Sequence, residues 1–288
     1  VSWRAEIESD LGTLRVDGGG PQAGTSGVKL SGWWGTPDSK WQMTERKAGD
    51  GAFDVPDPSV LYAARTVELQ MWAVGDRSEQ VAQMRDLLTL AHRQARLRVV
   101  DGPSDTYVTG LATVTDEAGP LTGSHQGVTL TLTCPDPRRL STSEHLAYLY
   151  PPSSTSMGGL SFGAASAGLV YALDFGEAAA GLRGFGTVAN GGSARAYPVI
   201  TVNGAFSGVR LDFTGDAGTR TVQYDGYVGG VPLVLDCRER RATIGGLDVT
   251  QHLSGRGFPE IEPGSSVAAS LQSAGSGWVE ISSRDTYI

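Results

Sequence analysis

Apolar and polar residues alternate over short runs along most of the chain, the period-two signature of strands with one buried face. In the last third, Ile200 and Val202, then Val209, Leu211 and Phe213, then Leu233 and Leu235 each fall on one side of such a run. Asn203-Gly204, Asp225-Gly226 and Gly229-Gly230 supply the positive φ angles that tight turns need. Short strands at this spacing, punctuated by turn signals, predict an antiparallel β-sandwich over residues 190–288. Nearer the start, Trp3 to Val16 alternates more weakly and predicts a strand pair turning at Asp10-Leu11-Gly12. Val28 to Trp34 leads into a Thr36-Pro37-Asp38-Ser39 turn. Trp33, Trp34 and Trp41 read as one hydrophobic cluster on a strand pair, because indoles carry large buried areas. Arg65 to Val74 is a strand with Val67, Leu69 and Met71 on one face.

The period changes once. Val81, Met84, Leu87, Leu88 and Ala91 recur at helical spacing and predict a helix near 78–93 with one apolar stripe. Asp76 or Ser78 caps it, and Glu79 sits where the dipole favours an acid. Leu97 to Val100, Tyr107 to Thr115 and Val128 to Cys134 return to strand alternation. Residues 1–140 therefore form a β-rich domain with one helix. Residues 141–189 hold Pro151-Pro152-Ser153-Ser154 and many glycines, which is linker chemistry. Within them, the run from Val170 to Gly176 is a candidate strand. Residues 17–27 and 47–58 read as loops. The second carries Asp50, Asp54 and Asp57 but lacks the spacing of a calcium-binding loop. The fold class is mainly β.

Composition supports a folded chain. Of 288 residues 40 are glycine, hydrophobic residues make up 40% and charged residues only 19%, which signals many turns rather than disorder. A net charge of −8 excludes a general nucleic-acid binder. The local clusters Arg93, Arg96 and Arg98, Arg138-Arg139, and Arg238, Arg240 and Arg241 read as solvated strand faces and intersubunit charge pairs. Cys134 and Cys237 fit neither a metal spacing nor a disulfide framework and read as buried thiols. The first residues lack the basic start and apolar core of a signal peptide, so synthesis in the cytoplasm is expected. No apolar run reaches membrane-spanning length.

Catalytic constellations are missing from the motif level. His92, His125, His145 and His252 form no zinc-hydrolase spacing. Gly123-Ser124-His125-Gln126-Gly127 has its serine off-centre for a nucleophile elbow and no helix after it. No phosphate-binding loop occurs. Glu260 and Glu262 are the obvious carboxylate pair for glycosidase chemistry, but beside Pro259 and Pro263 they read as the edges of a turn. Trp278 and Glu280 remain as candidate glycan contacts, with Trp278 as a core aromatic the plainer reading. No catalytic, metal or cofactor residue is assigned.

Four motifs follow one another in the last third: Pro198-x-Ile200-x-Val202-x-Gly204, Leu233-x-Leu235-Asp236-x-Arg238-x-Arg240, Phe258-Pro259-x-Ile261-x-Pro263-Gly264 and Trp278-Val279-x-Ile281. In this order they resemble the C-terminal, galectin-like sandwich of siphophage distal tail proteins. Val67 to Trp72, the helix from Ser78, and Thr129 to the closing Asp136-Pro137 are similar to that family's N-terminal belt domain. The resemblance implies a non-enzymatic virion protein without cofactors. In that family six belt domains close a ring, partly through sheet-to-sheet contacts, and the ring joins the tail tube protein to tail-tip or receptor-binding proteins. It further implies a location at the phage tail tip and no sequence-specific nucleic-acid contact. The 141–189 segment departs from the compact members. Two other readings stay open: a carbohydrate-binding module attaching to a cell-surface glycan, and a tail-associated wall hydrolase.

Overall fold

The computed structural model describes residues 3–18, 28–41, 43–54, 61–74, 76–116, 125–151, 184–216 and 218–288. The candidate strand at Val170, the Asp57 carboxylate, Gly123-Ser124, and most of the 17–27 loop and the 141–189 segment lie outside these residues. The chain divides into two units, Val1–Ser143 with Thr286–Ile288, and Glu144–Asp285.

The first unit is built on β1 (Arg4–Ser9), β2 (Gly12–Asp17), β3 (Lys29–Ser31), β4 (Arg65–Val74), α1 (Arg77–Leu88), β5 (Gln94–Asp101), β6 (Ser104–Asp116), β7 (His125–Cys134) and β8 (Arg139–Ser141). Its sheet runs β2-β1-β5-β6-β7-β4-β3, with β8 attached to the early part of β6. Alternation sorts the faces: Ile7, Leu97, Val108, Leu130, Leu132, Val67, Leu69 and Met71 are buried in one core, as the period-two pattern requires. Across the other face run threonines and paired charges. Arg15 and Arg98 both bind Glu6, at 3.1 and 3.0 Å, and Arg98 also holds Asp105 at 2.6 Å.

Helix α1 starts as expected, in a capping box: Asp76 accepts from the N–H groups of Ser78 and Glu79, and Glu79 accepts from the N–H of Asp76. Its stripe and length differ from expectation. The helix stops at Leu88, and the turn that follows carries His92 at φ 57°. Gln80, Leu87 and Leu90 are buried and Met84 packs on the core, whereas Val81 and Leu88 are exposed. Positions 80, 84 and 87 share a face at i, i+4, i+7. Val81 and Leu88 lie on the adjoining face, one residue and about 100° further round.

The three indoles separate. Trp33 is buried, Trp34 is exposed with its ring edge-on to Trp3 at 6.1 Å, and Trp41 is half-buried on a different segment. The stretch between Trp34 and Arg65, read from its glycines, aspartates and prolines as turn and loop, carries antiparallel backbone pairing at both ends.

The second unit contains β9 (His145–Leu149), β10 (Phe185–Asn190), β11 (Val199–Ala205), β12 (Val209–Gly215), β13 (Gly218–Tyr224), β14 (Leu233–Asp236), β15 (Arg241–Ile244), β16 (Leu247–Asp248), β17 (Leu253–Arg256), β18 (Ser265–Leu271) and β19 (Ser276–Ser283). The short β20 (Thr286–Tyr287) returns to pair with β8 in the first unit. A five-stranded sheet, β10-β18-β12-β13-β17, and a six-stranded sheet, β16-β15-β14-β11-β19-β9, bury their apolar faces in one core. Leu211, Phe213 and Val222 come from the first sheet, and Ile200, Val202, Leu233, Leu235, Val279 and Ile281 from the second. The segment read as linker thus contributes β9 and most of β10. Asn203-Gly204 makes no turn: Gly204 (φ 108°) lies within β11 opposite Gly277 (φ 145°). A Cβ on Gly204 would stand 2.1 Å from the Ser276 carbonyl oxygen, so the glycines permit two backbones to come close inside a sheet.

Candidate interaction surface on the second unit

Strand β19 lies between β11 and β9. Its alternation turns Val279 and Ile281 into the core and leaves Trp278, Glu280 and Ser282 on the outer face. The register sets Glu280 between Thr201 on β11 and Tyr148 on β9, Ser282 between Val199 and Leu146, and Trp278 opposite Asn203. Trp278 is 42% exposed and Tyr148 46% exposed, and Leu146 is exposed beside them. The two sequence candidates, Trp278 and Glu280, therefore share a face. Trp278 is a surface aromatic rather than the core residue of the plainer reading. The paired glycines 204 and 277, with their positive φ angles, adjoin the indole.

Such a face offers two aromatic rings, an adjoining carboxylate, and hydroxyl and amide groups alongside. It can stack on a flat apolar surface and exchange hydrogen bonds at its rim, the mixture that suits aromatic anchors at interfaces. Tyr148 and Leu146 were not singled out from sequence, because they fall in the segment read as linker. The alternation of Leu146 and Tyr148 outward with Ala147 and Leu149 inward is the signal that finds them.

The other polar candidates are held by structural partners. Glu260 accepts a hydrogen bond from Arg220 Nη1 at 2.8 Å, and Glu262 accepts one from Arg195 Nε at 3.0 Å. That bond to Glu262 raises the Arg195 pKa further above its ordinary value. The adjoining hollow, lined by Phe213, Asp216, Arg220, Glu260 and Glu262, has a volume of about 40 Å³, room for little more than a water molecule. His145 is bonded to Asp285 at 3.0 Å, and His252 lies edge-on to Tyr224 at 6.1 Å. Each arginine cluster has a member paired within the chain, where pairs between subunits were expected: Arg93 with Asp10 at 2.6 Å, Arg138 with Asp136 at 2.8 Å, Arg241 with Asp248 at 3.0 Å. Both cysteines are buried and free. Burial pushes the Cys134 thiol up to about 12 and raises that of Cys237 as well, so neither is a nucleophile at neutral pH. Among the described residues no three acidic, histidine or cysteine side chains gather as a metal site, and no helix is long and apolar enough to cross a membrane.

No family model and no curated protein matches the chain. Solved structures do. The crystal structure of the phage SPP1 Dit protein, described as a paradigm of the hub adsorption apparatus in phages infecting Gram-positive bacteria, superposes with a TM-score of 0.60 at 14% identity and covers 99% of both chains. A chain of the phage p2 baseplate, in its strontium-activated conformation, superposes with a TM-score of 0.52 at 10% identity over 97% of each chain. The resemblance read from the motifs is matched by a likeness of backbone through both halves, and the chain has the fold of a phage Dit protein.

Proposed function

We propose that this chain is a structural virion protein, the distal tail hub of a long-tailed phage, and acts by assembly rather than by catalysis. Copies close a ring that seats the tail tube protein on one side and tail-tip or receptor-binding proteins on the other. The belt region, 1–140, supplies the ring contacts. The 190–288 sandwich, completed by β9 and β10 from the 141–189 extension, presents the partner surface. The observation that carries the reading is the likeness to the SPP1 Dit fold over 99% of the chain. Its mechanism is interface complementarity under closed symmetry. Negative-stain imaging of the purified protein tests it: closed rings with a central hole are expected, and single particles at every concentration would count against ring formation.

A second reading is favoured by one specific observation, the exposed Trp278 and Tyr148 that both adjoin Glu280, one along β19 and the other across on β9. Aromatic rings beside a carboxylate suit the apolar face and hydroxyls of a sugar, so the same face would take a host cell-surface glycan. Titration with host cell-wall glycan while following tryptophan fluorescence checks this. A saturable shift lost in Trp278→Ala supports it, and an unchanged spectrum in the wild type removes it.

A further inference from the structure

Glu280 stands half-buried on the outer face of β19. Among the described residues nothing donates to its carboxylate, and neither the Trp278 indole N–H nor the Tyr148 phenol makes a hydrogen bond. Other charged groups across the same sheet are paired. Asp236 accepts from the N–H groups of Arg238 and Glu239, at 2.8 and 2.9 Å, and Arg241 holds Asp248 at 3.0 Å. Tyr148 lies directly opposite Glu280 on β9, and Trp278 two residues before it on β19. Sheet spacing puts their Cβ atoms about 5 and 7 Å from that of Glu280. Among the described residues the two rings make no ring contact, with each other or with any neighbour.

These three groups carry one sign of charge. The face of an aromatic ring is the negative part of its quadrupole, and between these rings sits a carboxylate without a donor. Leaving such a group unpaired is costly when the surface is covered, so the face is complementary to a cation. The geometry narrows which one. A hard metal ion needs several oxygen ligands, and no three acidic, histidine or cysteine side chains gather among the described residues. A quaternary ammonium is held inside a cage of rings, whereas these rings stand on an open sheet face. A guanidinium is planar, lies flat on a ring, and donates through its N–H fork to both oxygens of a carboxylate. Leu146 and Val199, exposed on either side of Ser282, add an apolar border for the aliphatic stem of an arginine.

We propose that this face seats an arginine of a partner protein, its guanidinium stacked on Trp278 and Tyr148 and bonded to Glu280. The inference rests on the hub reading, in which the sandwich presents the partner surface, and it gives that surface its chemistry. Trp, Tyr and Arg are the side chains that dominate interface hot spots.

A library of short random peptides, selected on the full chain, is the probe. Peptides that also hold Glu280→Lys are discarded, so those kept recognise this face. They should share an arginine whose replacement by glutamine weakens binding at least about tenfold. Glu280→Gln, which keeps the shape and removes the charge, should weaken the same peptides about threefold or more, and Trp278→Leu likewise. None of the three side chains is buried, so melting of each variant should match the wild type. Charge exchange is the sharper arm: Glu280→Arg should recover affinity for a peptide whose arginine is replaced by glutamate. Kept peptides without an arginine, or a selection that yields none, overturn the proposal. Lysine serving as well as arginine, or affinity indifferent to Trp278→Leu, overturns the stacked guanidinium. Neutral cell-wall oligosaccharide bound at Trp278 in place of any arginine peptide overturns it in favour of the glycan reading. Peptide binding does not depend on ring formation, so the two failures separate. Closed rings without an arginine-dependent peptide remove this contact alone, and arginine-dependent peptides on a chain that never forms rings count against the hub reading alone.

Discussion

Asp105 grips Arg98 with both carboxylate oxygens, at 2.8 and 2.6 Å, and so joins the turn end of β6 to the middle of β5. That fork holds the Asp105 carboxyl below its ordinary pKa, with a smaller hydrogen bond from Thr142 acting the same way. A carboxylate with a depressed folded-state pKa adds stability above its unfolded value of about 3.9 and loses it as the pH falls through the folded value. Asp105→Asn should therefore be less stable than the wild type at neutral pH, and the gap should close on acidification below about pH 4. Urea unfolding at neutral pH and near pH 3 measures both ends, and a gap that persists in acid would refute the ion-pair account. Arg65 poses the opposite problem, a buried guanidinium bonded through Nε and Nη1 to four main-chain carbonyls while its buried Nη2 has no partner. Desolvation lowers its pKa, and repulsion from Arg139 adds to that. Its inward position was legible: period two places residue 65 on the face of Val67, Leu69 and Met71. That it would bind the carbonyls of Gly32, Trp33 and Gly35 was not, because no local pattern announces contacts with residues about thirty positions away.

Strand β6 shows how one element serves several neighbours. All along Ser104 to Leu111 it pairs with β5, while its other edge meets β8 at Thr106 and Tyr107 and β7 from Leu111 onward. Gly110 sits at the changeover, and a Cβ there would lie 2.4 Å from the Thr133 carbonyl oxygen and 3.0 Å from Cys134 Cα. Both are backbone, so neither yields easily. Gly110→Ala should cost about 1–3 kcal/mol, the usual range for overpacking. Gly35→Ala, where a Cβ meets nothing within 4 Å, should be nearly neutral. Equal melting temperatures for the two variants would show that the close approach is not required. The alternation that marks β4 to β7 was plain in sequence because each strand has one predominantly apolar face. The helix stripe was misread by one residue because Val81 and Leu88 are as apolar as the positions that face inward, and periodicity alone does not say which face meets the sheet. The backbone pairing between Trp34 and Arg65, and β9, were missed for a different reason. Glycine, proline and aspartate mark turns, but they do not reveal whether the residues between them pair.

At the scale of the whole molecule, the chain passes between its two units only at 143/144 and 285/286. Residues 144–285 are therefore one continuous segment with both sheets and a complete core, from Ala147 to Ile281. The two ends of that segment lie side by side. His145 pairs with Ser283 in the β9–β19 register, its ring bonds Asp285 at 3.0 Å, and Arg284 reaches Glu144 at 3.2 Å. Closing an excised segment thus needs no new contact. Expressed alone, residues 144–285 should give a β-rich circular dichroism spectrum and a cooperative melt, since the segment buries its own apolar surface. It also lacks the belt region, residues 1–140, to which the ring contacts are assigned. The segment should therefore remain monomeric at concentrations where the full chain assembles, while keeping the Trp278 face and any glycan response that belongs to it. A disordered segment would show that the sandwich depends on the rest of the chain. Rings formed by the segment alone would move the assembling surface from the belt to the sandwich, and with it the division of labour between the two units.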